Sequence, residues 1–396
     1  MRQSDDVFNY DDLVHLLLGA HFYACGGGGA LANGQSLLDA IVKHSGCQEK
    51  VHITVTGVDA LDDHCLLPVL AAIGAPALYL EKGYGQSPLS AFDALQKLKN
   101  VQFSCLSPIE TGPIAIGMSL LVAAYFGIPV LNGDGGGRAF PCLQLSTFSN
   151  PELEYPIAVS PAVITSENEL HDGGASVSIE CSSGSDMDAM IRGIISHSES
   201  FDHRASLAAF VMTGRQAKQD NAVVSGTLTR SLQLGRSLAE CTGAGKSCFQ
   251  AIEQQSGAQC VMRGQLTNIT LTTRDGFDWV TLEYCDHRFP GTKYTVIAQN
   301  ENMLLWSDSL SFPLAMAPDL ICCLCSDATL MSNDEIYAAW HENPDDERFK
   351  NMAIFTLPGA PQIQKSWFHD HFARIFKRFG YYGCYHPLHC TREIRA

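Results

Sequence analysis

A short apolar run at residues 128–131 stops at Asn132-Gly133-Asp134 and is followed by three more glycines and an arginine. Residues 127–148, GIPVLNGDGGGRAFPCLQLSTF, therefore dictate a buried strand ending in a loop that few other sequences could follow. Gly133, Gly135, Gly136 and Gly137 can take positive φ and let a ligand approach main-chain atoms that a Cβ would shield. Asp134 and Arg138 flank the last three, setting an acceptor and a forked donor at the mouth of a strand. This points to a substrate site on the loop, with Gly135 and Gly137 against the ligand. A tight strand-to-helix connection closed by an Asp134/Arg138 ion pair uses the same residues, and both readings stay open.

The loop closes an alternation. Residues 51–55 read as a strand, 61–73 as a helix, 77–81 as a strand, 88–98 as a helix, 101–105 as a strand and 113–126 as a helix, before the strand at 129–131. Such alternation predicts right-handed crossovers and a mainly parallel sheet, with ligands beyond the C-terminal strand ends. Glu110 follows one such strand and Asp134 another, so both are expected to face one crevice, although Glu110 would also suit a helix N-terminus. Upstream, a helix over 11–22 ends at Cys25. Gly26, Gly27, Gly28 and Gly29 then separate it from a second helical pattern over 31–42. Amides of such a turn can hold an anion or a carbonyl oxygen, and a plain inter-helix turn is the other reading; the dinucleotide fingerprint is absent.

Pro151, Pro156 and Pro161 punctuate a connecting stretch, which sets a first, α/β domain at 1–165 and a second, β-rich α+β domain at 166–396. In the second, a turn at 171–174 and a strand at 177–180 precede helices over 187–197 and 227–241, and short β-branched or aromatic runs follow Gly257. Asn300, Glu301 and Asn302 come directly after one of those runs, and Asp319 precedes the apolar ICCLC. Either carboxylate is placed to reach a cleft between the domains, and turn formation or capping would explain them as well.

A chain of 396 residues with 46% hydrophobic and 17% charged residues suits two well-packed domains. The formal charge of −16 and the lack of a basic stripe argue against nucleic acid as a partner. No apolar run has the length of a membrane span, and the acidic N-terminus lacks a signal-like apolar segment, so the expected compartment is the cytoplasm. A small-molecule substrate is the expected partner, with self-association left open. Fifteen cysteines, odd in number and irregular in spacing, suit reduced buried thiols. Zinc has two candidate settings. Cys322, Cys323 and Cys325 lie in a run that reads as a buried strand, while Cys384, His386, His389 and Cys390, with His369 and His371 upstream, have ligand types but no familiar zinc spacing.

GDGGGRAFPCLQLSTF resembles the D-x-D-G-x-G-R-A-F-P-E-L-Q-x-x-T signature of the S-methyl thiohydantoin desulfurase-like family, often encoded beside hydantoinases. CGGGG from Cys25, Glu110-Thr111-Gly112, QNEN from Gln299 and APDLI from Ala317 resemble further motifs of that family, as do Ser231, Gly235 and Arg236. Two acids of the signature are replaced, by Asn132 and Cys142. The resemblance implies hydrolytic desulfurisation of a thiohydantoin or S-methyl thiohydantoin, water attacking the carbon that bears sulfur. Such chemistry needs a base, a donor for the developing charge and a rigid pocket. Asp134 or Glu110 would then be the base, Arg138 the charge stabiliser and the Gly26, Gly27, Gly28 and Gly29 amides the oxyanion donors. Cys142 would be a nucleophile only if a neighbour such as Arg138 lowered its pKa. Two alternatives remain: a diverged small-molecule-binding or regulatory protein of the same fold, and a hydantoin-type cyclic amide hydrolase.

Overall fold

The computed structural model describes residues 5–74, 78–79, 85–166, 174–245, 247–326 and 328–388. The first third of the chain runs β1 (Asp6–Asn9), α1 (Tyr10–Tyr23), α2 (Leu31–Ser45), β2 (His52–Thr56), β3 (Leu66–Gly74), α3 (Ser87–Lys99), β4 (Ser107–Pro108), α4 (Pro113–Phe126), β5 (Val130–Leu131) and β6 (Gly133–Asp134). α1 starts at a capping box between Asn9 and Asp12. α4, PIAIGMSLLVAAYF, is apolar all round and is buried over 113–123. It begins with Pro113 in its first turn and ends at Gly127 with φ 66°.

Helices and strands mix as expected, and their pairing departs from a mainly parallel sheet. β7 (Ala162–Ser166), β8 (Ser176–Ile179) and β9 (Arg204–Thr213) complete a five-stranded sheet in the order β4-β3-β9-β7-β8. Only β3–β4 is parallel in it, because β9 arrives from beyond residue 200 and pairs antiparallel with both β3 and β7. A small sheet, β1-β2-β5, adds one further parallel pair, β2–β5. The five-stranded sheet thus runs across the boundary expected at residue 165. The helix expected over 61–73 is instead the strand β3. Pro68 would break a helix there, whereas a central strand tolerates it at the register shift between Leu67 and Val69. Residues 101–105, expected as a strand, are irregular and lead into the two-residue β4. Of the strand expected over 77–81, residues 77, 80 and 81 fall outside the described residues and 78–79 are helical, while three of the four residues of the turn expected at 171–174 also fall outside them.

After α5 (Gly184–His197), α6 (Gly214–Lys218), β10 (Val224–Ser225), α7 (Thr227–Gly243) and α8 (Cys248–Ser256), the chain enters its β-rich part. β11 (Gln259–Arg274), β12 (Phe277–Asp286), β13 (Lys293–Gln299), β14 (Glu301–Ser307), β15 (Ala315–Met316), β16 (Leu320–Leu324) and β17 (Met352–Leu357) form an antiparallel sheet in the order β15-β14-β13-β12-β11-β17-β16. Its two outer strands, β15 and β16, are only three residues apart in the chain, so the sheet curls into a near-barrel. α9 (Asn333–Glu342) and α10 (Ser366–Arg378) follow. α1 and α7 cross with their backbones in contact. A Cβ on Gly19 would stand 1.8 Å from the Ser231 carbonyl oxygen, and one on Gly235 1.7 Å from that of His15.

Candidate active site

Three segments distant in sequence converge on one cavity of about 60 Å³. The first is the glycine turn after α1. Its carbonyls at Cys25, Gly26 and Gly28 accept hydrogen bonds from the amides of Asn302, Asn333 and Ile114, tying it to the β-rich part and to α4. The second is the stretch between β4 and α4, which carries Glu110. The third is the tip of the β13–β14 hairpin, where Gln299 pairs with Glu301 and Asn300 alone makes the turn with φ 56°. Asparagine tolerates that left-handed backbone, and its Oδ1 accepts the Asp278 amide at 2.8 Å while its own amide donates to the Asp278 carbonyl. The tip is thereby fixed, and Glu301 is carried into the glycine turn. Gly27 has to be glycine at that point: an added Cβ would lie 2.2 Å from Glu301 Oε1.

Glu110 and Glu301 both line the cavity, beside Gly28, Gly29 and Asn300. The Phe140 amide donates to Glu110 Oε2 at 2.9 Å, and the Gly28 amide to Glu301 Oε1 at 3.3 Å. Glu301 Oε2 is buried and has no hydrogen-bond partner among the described residues. Burial, with the neighbouring Glu301 carboxylate, holds the Glu110 carboxyl well above its ordinary range. Burial pushes Glu301 up to about 8 even though Arg138 and the Gly28 amide favour its charged form. Two buried carboxyls on one cavity wall titrate as a pair, and one of them readily keeps a proton near neutrality.

The other residues expected at the site are employed differently. Asp134 is completely buried, accepting from the Gly136 and Gly137 amides at 2.8 and 2.6 Å and from the Thr111 hydroxyl. Its oxygens hold the glycine loop closed, and it does not line the cavity. Arg138, the largest fully buried side chain among the described residues, does not pair with it. Its guanidinium donates to the carbonyls of Ala139, Asp319 and Asn302 at 2.9, 2.8 and 3.0 Å, bolting the loop to β14 and to the residue just before β16. An arginine spent on main-chain oxygens has no fork left for a ligand. Gly135 and Gly137 belong to this same closed loop, and Gly26 packs against Asn333. Among the amides of the glycine turn, that of Gly28 is already committed to Glu301.

Cys142 does lie on the cavity wall, but burial and the nearby Asp188 raise its thiol well above the usual range, so it stays protonated. Asp319 is buried and accepts from the Gly359 amide, Gln364, Tyr385 and the Leu388 amide, anchoring the C-terminal segment. Asn132 stands away from the cavity, with its side chain on Thr229.

Sequence reasoning passed over Asp188 and Arg192, which line the cavity from α5. They form a buried ion pair at 2.7 Å, and Arg192 also donates to the carbonyls of Gly276 and Pro141. Their i, i+4 spacing on a helical segment was the available signal. Among the described residues no three side chains of metal-binding type gather. Cys322 and Cys323 are buried in β16, with Cys322 Sγ 4.0 Å from Cys25 Sγ and Cys323 accepting from the Tyr284 hydroxyl. His369 stacks on Tyr385 and His371 packs at a tilt against Trp367, whereas His389 and Cys390 lie outside the described residues.

The interlocked fold has counterparts. The chain matches the N-terminal domain of the S-Me-THD-like family over residues 11–171 and the C-terminal domain over 182–339, and it belongs to that family. A crystal structure of a protein from Chromobacterium violaceum, a structural genomics target, superposes with a TM-score of 0.79 at 25% identity, covering 97% of this chain and 100% of that one. No curated protein matches the chain. Among the described residues no helix is long and apolar enough to cross a membrane.

Proposed function

We propose that the cavity binds a small planar cyclic thioamide, of the thiohydantoin or S-methyl thiohydantoin type, and hydrolyses it with Glu110 and Glu301 as an acid–base pair. The observation that carries this reading is the pair itself: two glutamates, both shifted upward, on one wall of a cavity whose remaining lining is largely apolar. A singly protonated pair holds a base and an acid at once. The carboxylate takes one proton from water as the water oxygen bonds to the ring carbon bearing sulfur. The C–S bond then breaks, sulfur takes the proton of the partner carboxylic acid, and the remaining proton of the former water passes to the ring nitrogen, the C=N nitrogen of the S-methylated ring or of the thiol tautomer of the thiohydantoin. An S-methylated ring so yields methanethiol and a ring carbonyl, and the pair is again singly protonated. Membership of the S-Me-THD-like family supports the substrate class.

The test is thiol or sulfide release from these rings by wild type, Glu110→Gln and Glu301→Gln. Each variant is expected to lose about a hundredfold or more in kcat. The rate should rise as pH passes about 8, where Glu301 becomes the carboxylate base. Turnover retained in both variants would dismiss the pair. Cys142 favours a second reading, a binding protein without turnover, because it stands in the cavity wall at a position where the resembled signature has an acid. Calorimetric binding of the ring with no thiol release would select it.

A further inference from the structure

Beyond the wall formed by Cys142, Asp188 and Arg192 lies a second, larger hollow of about 670 Å³, sharing those three residues with the inner cavity. In a chain of net charge −16, four arginines face it (Arg192, Arg274, Arg374 and Arg378) against two aspartates, Asp188 and Asp275. Arg192 is consumed by Asp188 and by main-chain carbonyls. The other three pair with no carboxylate among the described residues. Arg374 and Arg378 are exposed, one turn apart on α10, so both guanidiniums project from one side of that helix. On the same hollow, the Arg274 guanidinium carbon lies over the Trp279 ring, 4.4 Å from its centre. A concave surface with several cations, few anions and an aromatic face concentrates oxyanions.

We propose that this outer hollow binds an anionic substituent, a carboxylate, of the ligand whose ring occupies the inner cavity, with Arg274, Arg374 and Arg378 as its recognition residues. The inference rests on the ring reading above and narrows the substrate class to rings with an acidic side chain. Three shared lining residues make the two spaces adjacent, the closeness that one ligand spanning both requires.

Calorimetry would compare 2-thiohydantoin-5-propionate with the neutral 5-propyl-2-thiohydantoin, and glutarate as an anion without a ring, on wild type and on an Arg374→Gln, Arg378→Gln double variant. Both substitutions are at exposed positions, and an unchanged thermal melt checks that α10 stays folded. The wild type is expected to prefer the acidic ring by about tenfold, the worth of one hydrogen bond to a charged group. The double variant should lose that preference while binding the neutral ring as before, and the wild-type preference should shrink as ionic strength rises. Equal binding of the two rings by wild type, or a preference that survives in the double variant, overturns the inference and leaves the ring reading standing. Glutarate bound by wild type but not by the double variant, with neither ring bound, sustains the anion hollow and removes the ring reading. Binding of none of the three overturns both.

Discussion

Replacing Glu301 by glutamine should make this protein more stable in mild alkali, although it is expected to abolish activity. Glutamine is isosteric, its Oε1 can still accept from the Gly28 amide, and its NH2 would occupy the position of the unpartnered Oε2. The effect comes from proton linkage. In the folded chain Glu301 holds its proton up to about pH 8, whereas the ordinary value is 4.5. Between those values the folded form binds a proton that the unfolded form has released, so stability falls as pH rises through the window, and the contribution is fully present only below about 4.5. At 1.36 kcal/mol per unit, ionising Glu301 costs the wild type roughly 1 kcal/mol at about pH 5 and roughly 4–5 kcal/mol at about pH 8.5. The variant carries neither charge nor cost. Denaturant melts of both proteins at the two pH values should therefore show an advantage of glutamine growing by about 4 kcal/mol or more, because loss of the Glu301 charge also removes one of the causes that raise Glu110. An advantage independent of pH would mean that Glu301 ionises normally, and the acid–base pair would lose its basis.

Further perturbations separate bracing residues from reacting ones. Arg138→Met strands three buried carbonyl oxygens and should cost about 3 kcal/mol or more in a denaturant melt, whereas a ligand-binding arginine would leave stability nearly untouched. Gly27→Ala forces a methyl group into the space of Glu301 Oε1; the expected result is about tenfold or greater loss of turnover, with a melt lowered by about 1–3 kcal/mol. Cys142→Ser should change turnover by less than about threefold, because a thiol kept protonated by burial and Asp188 is no nucleophile. Alkylation at mildly alkaline pH should correspondingly modify the exposed Cys384 and spare Cys142, as peptide mapping would reveal.

Much of the ligand-facing surface was legible because it rests on local chemistry. A glycine turn after a helix, an acid before a Pro-started helix and an Asn-Glu pair at a strand end each announce themselves in a few residues, and these segments meet at the cavity. What could not be read was which carboxylate faces inward. Asp134 and Glu110 look alike as acids after strands, and only the amides of Gly136 and Gly137, folded back onto Asp134, commit it to the loop. Arg138 hides for a similar reason: its acceptors include backbone oxygens more than 160 residues away, which no side-chain pattern advertises. The sheet misled for a third reason. A strand buried on both faces has no alternation, so β3 resembled a helix, and its antiparallel partner β9 lies beyond the stretch where a neighbour would be sought.

The place of β9 bears on how such a protein could arise and be inherited. It falls within the second family segment, yet it occupies the centre of the sheet whose other strands precede residue 180, while α7 of that same segment rests on α1. Neither half is a portable module, so shuffling one of them into another gene would transfer an incomplete sheet. The two segments are expected to travel through genomes as a single unit, in fixed order, and to drift together wherever they touch.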